Sequence, residues 1–137
     1  MREVVVERFV SESPAVIERA LSPARIVEWE GSFSVANVEP GDDETLVTVS
    51  GPGVGFRLRF ERLPDGYRYV VADGDDPAGP FDRMETRLSV EPENEGSRVR
   101  LRSEVSLNAP LPFADRLAAW KRRGELDRAL DGIDDAV

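Results

Sequence analysis

The chain contains no cysteine and no histidine. Without cysteine there can be no disulfide, thiolate metal site or thiol nucleophile. Without histidine it loses the side chain that most often serves as general base or imidazole ligand near neutral pH. Lysine is almost missing too: Lys121 is the only one among 18 basic residues, and the others are arginine. No apolar run approaches the ~20 residues that a membrane-spanning helix needs, and no signal-peptide pattern opens the chain. A cytoplasmic protein is expected. Phosphate loops, nucleophile elbows and zinc spacings are likewise missing. We therefore expect no metal and no cofactor, and no catalytic residue stands out.

What is present is acidic. Asp and Glu number 27 against 18 basic residues, a formal net charge of −9. An acidic surface poor in lysine resembles that of proteins from salt-loving organisms, where carboxylates hold water and their mutual repulsion is screened. The same balance argues against a nucleic-acid binder, which should be basic. With 137 residues and no linker or repeat, residues 1–137 read as one domain.

Turn residues punctuate the chain regularly. Glu3 to Val10 is a β-branched strand. Ser13-Pro14 caps a short helix with Val16, Ile17, Ala20 and Leu21 at helical spacing. Ser22-Pro23 starts a second helix carrying Ile26, Val27 and Trp29, ended by Gly31. Six strand-like runs follow: Ser32 to Glu39, Glu44 to Ser50, Val54 to Leu63, Tyr67 to Asp73, Asp82 to Glu91 and Ser97 to Asn108. Pro110 and Pro112 then open a helix from about Phe113 to Ile133. Short connections make successive strands antiparallel neighbours. The acid cluster in the loop Asp73 to Pro80 lacks the ligand spacing of a calcium loop.

Alternation separates the two faces of the sheet. Val54, Phe56, Leu58 and Phe60 share one face with Met84, Leu88, Leu101 and Val105. The other face carries Arg57, Arg59, Arg83, Arg87, Arg98, Arg100 and Arg102, expected to pair with Glu61, Glu85, Glu91 and Glu104 across strands. The apolar face needs a cover, and the last helix is the only long element available. Phe113, Leu117 and Trp120 form a stripe on its first half. After Gly124 the apolar stripe shifts to Leu126, Leu130 and Ile133, which predicts a kink or a second contact there, such as a homodimer interface.

This order of elements resembles the helix-grip fold of the START-like (SRPBCC) superfamily, and the polyketide cyclase/dehydrase-type proteins within it most of all. The resemblance rests on the first strand running into Ser13-Pro14-Ala15-Val16-Ile17, on Trp29 and on Trp120-Lys121-Arg122-Arg123-Gly124-Glu125-Leu126. It implies an α+β fold, with a seven-stranded antiparallel sheet wrapped around the C-terminal helix and a pocket between them. It implies no particular activity.

Four polar groups interrupt the inward face by alternation: Arg8, Asn37, Tyr69 and Ser103. An apolar cavity with a few polar groups is the usual form of a small-molecule site. The expected occupant is a hydrophobic small molecule such as a lipid, quinone or polyketide-like compound. Phe56, Phe60, Met84, Leu101, Leu117 and Trp120 would wall the site, and the loop around Gly79-Pro80-Phe81 would act as a lid. Two alternatives stay open: a cyclase- or dehydratase-type enzyme using the same cavity, and a protein-interaction domain with a filled core.

Overall fold

The computed structural model describes residues 2–72, 81–107 and 112–137. The acidic loop, most of the suggested lid, and Pro110 lie outside them. The elements run β1 (Arg2–Val10), α1 (Pro14–Ala20), α2 (Pro23–Glu30), β2 (Ser34–Pro40), β3 (Glu44–Gly51), β4 (Val54–Leu63), β5 (Gly66–Val71), β6 (Phe81–Glu93), β7 (Gly96–Leu107) and α3 (Ala114–Ala136). One antiparallel sheet contains all seven strands in the order β1-β7-β6-β5-β4-β3-β2. The meander thus closes by bringing β1 against β7, so the first strand borders the last.

The punctuation acts as its chemistry dictates. Ser13 and Ser22 each accept a bond from the amide three residues on, Val16 at 3.4 Å and Arg25 at 3.2 Å. Proline follows each cap, where its missing N–H costs nothing. Gly31 ends α2 in the left-handed region at φ 81°, where a Cβ would be strained. Leu63 pairs with Gly66, leaving Pro64-Asp65 as a two-residue turn. The β6–β7 turn is tighter than expected: Pro92 pairs with Ser97 and Glu93 with Gly96, because Asn94 adopts φ 51°.

The helices cover one face of the sheet, and α3 packs against α2, β1 and β7. The residues α3 buries are Ala114, Ala118, Arg122, Glu125, Leu126, Ala129, Leu130 and Ile133. This corrects the sequence expectation. Phe113, Leu117 and Trp120 face outward and are 62%, 56% and 77% exposed. Leu126, Leu130 and Ile133 belong to the same inward stripe as Ala118 and are buried in the chain's own core, so they cannot form a dimer surface. The apparent shift of stripe has one cause: an arginine occupies the buried position between Ala118 and Leu126.

On the opposite face most arginines pair with carboxylates, though often not with the expected ones. Arg68 opposes Arg87, and Arg87 opposes Arg102. These side chains therefore turn sideways: Arg68 to Glu61 and Glu85, Arg87 to Asp65, and Arg102 to Glu3. Arg100 reaches Glu7 and Arg98 reaches Glu93. No helix among the described residues is long and apolar enough to cross a membrane.

Candidate functional site

A single cross-strand row supplies the floor of the site. Phe60 on β4 lies opposite Tyr69, Tyr69 opposite Thr86, Thr86 opposite Ser103, and Ser103 opposite Val4. Three neighbouring strands thus place a hydroxyl at the same level of the inner face. All three hydroxyl residues are fully buried. The Tyr69 ring stacks on Phe60 with centroids 4.4 Å apart.

Arg122 comes down onto this row from α3. Its guanidinium donates to Thr86 Oγ1 at 2.8 Å, to Ser103 Oγ at 3.2 Å and to the Tyr69 hydroxyl at 3.2 Å. It also donates to both carboxylate oxygens of Glu30, the last residue of α2, and to Glu125 one turn along its own helix at 3.2 Å. The Tyr69 hydroxyl donates to Glu30. Thr86 and Ser103 share a 2.8 Å bond. Lys121 lies 3.8 Å from Glu125 at the edge of the cluster. Two carboxylates therefore meet two cations, and no buried side-chain polar atom among the described residues lacks a partner. A buried ion pair is tolerable only when every lone pair and proton is satisfied in this way.

The cluster fixes protonation. Burial works against a charge on Arg122, but Glu30, Tyr69 and Glu125 outweigh it and hold the guanidinium more firmly protonated than usual. Burial pushes the Tyr69 hydroxyl well above its ordinary range; the charge of Glu30 adds to this, and Arg122 opposes it. Tyr69 is thus a neutral donor held between an anion and a cation.

The inner face of α3 differs on either side of Arg122. Towards the C-terminus come Leu126, Leu130 and Ile133, and Arg8 of β1 pairs with Asp131 at 2.8 Å. Moving along α3 from Arg122 to Asp131 therefore follows β1 from Val4 to Arg8. The opposite direction leads to the adjacent row, where Leu58 pairs with Val71 and Met84 with Val105. Where this row reaches β7, the residues that α3 buries are Ala118 and Ala114. The fully buried side chains of this half of the helix are methyl groups alone. Beside it, Phe33 meets Phe56 edge-on at 5.0 Å under Lys121, whose ammonium lies 5.6 Å from the Phe33 ring.

The residues singled out in the sequence separate into two groups. Phe56, Phe60, Tyr69, Met84, Leu101 and Ser103 are buried together on the inner face. Arg8 does face α3, but at its far end, where it is bound to Asp131 and Asp134. Asn37 is exposed and donates to Glu39. A register shift between Val35 and Asn37 sets Val35 opposite Val49 but Asn37 opposite Thr48, so alternation breaks and Asn37 turns to the outer side. Leu117 and Trp120 point outward and are not walls. Sequence reasoning missed Glu30, Thr86, Arg122 and Glu125. Position 122 carried a signal, since it continues the buried spacing from Ala114 and Ala118 to Leu126.

A START-like, helix-grip fold is defined by this sheet, the paired short helices after β1 and the long C-terminal helix. Solved structures bear this out. A protein of Thermus thermophilus superposes with a TM-score of 0.72 at 20% identity, covering 98% of this chain and 96% of that one. A START superfamily protein from Mycobacterium smegmatis gives 0.69 at 14% identity, covering 98% and 96%. The di-domain ARO/CYC protein BexL gives 0.70 at 18% identity, covering 99% of this chain and 46% of that one. No family model matches the chain, and no curated protein matches it by sequence.

Proposed function

We propose that this chain is a cytoplasmic binder or carrier of a hydrophobic small molecule (a lipid, quinone or polyketide-like compound). The ligand's apolar body lies between Ala114 and Ala118 of α3 and the row Leu58, Val71, Met84 and Val105. Its polar end approaches the Arg122 cluster. The observation that carries this reading is the change in α3, from alanines on one side of a buried arginine to leucines and isoleucine on the other. Helix-to-sheet space lined by apolar groups and bounded by a few fixed polar ones is the form small-molecule sites take. The START superfamily protein and the ARO/CYC protein among the structural neighbours support it.

Native mass spectrometry of the purified protein, followed by organic extraction, tests this reading. A co-purifying apolar molecule, or a mass shift on adding long-chain quinones or fatty acids, is expected. A protein that stays unliganded with all of them would contradict it and favour an interaction domain with a filled core.

One observation favours a second reading, a cyclase- or dehydratase-type enzyme. Arg122 is a fixed, buried cation beside the Tyr69 hydroxyl, an arrangement suited to stabilising an oxygen that gains negative charge. Tyr69→Phe separates the two: a carrier keeps its ligand, whereas an enzyme keeps the ligand and loses turnover.

A further inference from the structure

The outward face of α3 carries a separate message. Phe113, Leu117 and Trp120 are three of the six large hydrophobic side chains exposed among the described residues, and they are the three most exposed. They follow one another at helical spacing and form one stripe. Arg116 and Arg123 are exposed beside them, with no ion pair to any described residue, unlike most arginines on the sheet.

The charges of α3 are segregated along its length. Residues 114–124 carry Arg116, Lys121, Arg122 and Arg123 against Asp115 alone; Arg122 is buried and Lys121 lies beside Glu125, which leaves Arg116 and Arg123 for the outer face. Residues 125–136 carry Glu125, Asp127, Asp131, Asp134 and Asp135 against Arg128 alone. The helix dipole favours the reverse, with acids near the N-terminus and bases near the C-terminus. Helix stability therefore does not account for the arrangement. It places a cationic, aromatic-bearing stripe on a chain whose net charge is −9.

We propose that this stripe docks on an anionic lipid surface. Tryptophan, phenylalanine and leucine flanked by arginine on one helix face are the composition of an interfacial helix. Trp120 and Leu117 enter the headgroup boundary while Arg116 and Arg123 meet lipid phosphates. A second copy of the chain fits poorly: a two-fold contact through the stripe would set Arg116 and Arg123 against their own images. Acidic groups elsewhere on the chain are screened beyond about 8 Å at physiological salt, so they favour one docking orientation without preventing docking. The inference rests on the outer face of α3 and does not require the pocket.

The test is co-sedimentation of the full chain with vesicles of mixed phosphatidylglycerol and phosphatidylcholine, and with phosphatidylcholine alone. Tryptophan emission is followed in parallel; Trp29, packed against Gly132, supplies a fixed background. Sedimentation with the anionic vesicles only, a blue shift from Trp120, and weakening as salt rises are expected. Arg116→Gln combined with Arg123→Gln should weaken binding on the order of tenfold at low salt. Leu117→Asp should abolish the blue shift, and both variants alter exposed positions and should keep the wild-type circular dichroism. The proposal is overturned if the wild type stays in the supernatant with anionic vesicles. Equal binding by the double-Gln variant would also overturn it, as would self-association or capture of an acidic protein in place of vesicle binding.

Discussion

The two halves of α3 solve different problems with one helix. Beyond Arg122, Leu126, Leu130 and Ile133 are buried, Gly132 lies against Trp29, and Arg8 ties Asp131 to β1. Before it, the buried positions are Ala114 and Ala118, and the large apolar groups face outward. The C-terminal half anchors the helix by close packing. The N-terminal half buries only alanine methyl groups against the rest of the chain. Arg122 divides the two regions and is itself held from three sides.

The sharpest way to break this division is at Arg122. Replacing it with leucine leaves Glu30 buried without a cation and Glu125 with only Lys121 at 3.8 Å, and a loss of ~3–5 kcal/mol is expected in urea unfolding. Adding Glu30→Gln and Glu125→Gln to the same chain should restore most of that loss. If it does not, the cluster matters for packing and not for charge.

Next in size is the contrast between the halves. Leu130→Ala should cost about 2–5 kcal/mol, because a filled core leaves a cavity behind. At Gly132 a Cβ would come within 2.3 Å of Trp29 Cγ. Gly132→Ala should therefore destabilise by about 1–3 kcal/mol despite its better helix propensity.

Alkaline titration gives a smaller effect. Tyr69 keeps its proton above the ordinary range in the folded state because of burial and Glu30. Its stabilisation is complete below the unfolded tyrosine pKa of about 10 and is lost as pH rises beyond it, at no more than about 1.4 kcal/mol per pH unit. Tyr69→Phe should flatten that part of the stability–pH curve, and an unchanged slope would remove Tyr69 as its source. Smallest is Gly124→Ala. A Cβ there meets only Arg128 Nη1 at 3.5 Å, so the change should stabilise by up to about 1 kcal/mol in thermal melts. Destabilisation would mean that α3 requires glycine at this position.

The architecture could be read from the residues because its signals are local. Ser-Pro pairs mark both helix starts, alternation in β4, β6 and β7 assigns the sheet faces, and short turns dictate the meander. The site was harder for a physical reason. A buried arginine is invisible to a pattern that seeks apolar residues, and alanine reads equally well as surface or core. With positions 114, 118 and 122 discounted, the remaining large residues Phe113, Leu117 and Trp120 drew the helix face to the wrong side. Asn37 failed through a bulge that alternation cannot foresee. Tyr69 and Ser103 were visible as polar interruptions, but Glu30 and Arg122, which bind them, come from α2 and α3. Only the tertiary fold brings those partners together.

The central claim is that an apolar ligand binds beneath the N-terminal half of α3. Ala118→Phe, compared with wild type for both thermal stability and binding of an apolar fluorescent dye, tests it most directly. The account predicts that the variant melts within about 1 kcal/mol of wild type, because the ring takes the place proposed for the ligand, and that dye binding is lost. A loss of about 1–3 kcal/mol from overpacking, or dye binding equal to wild type in a folded variant, would contradict it.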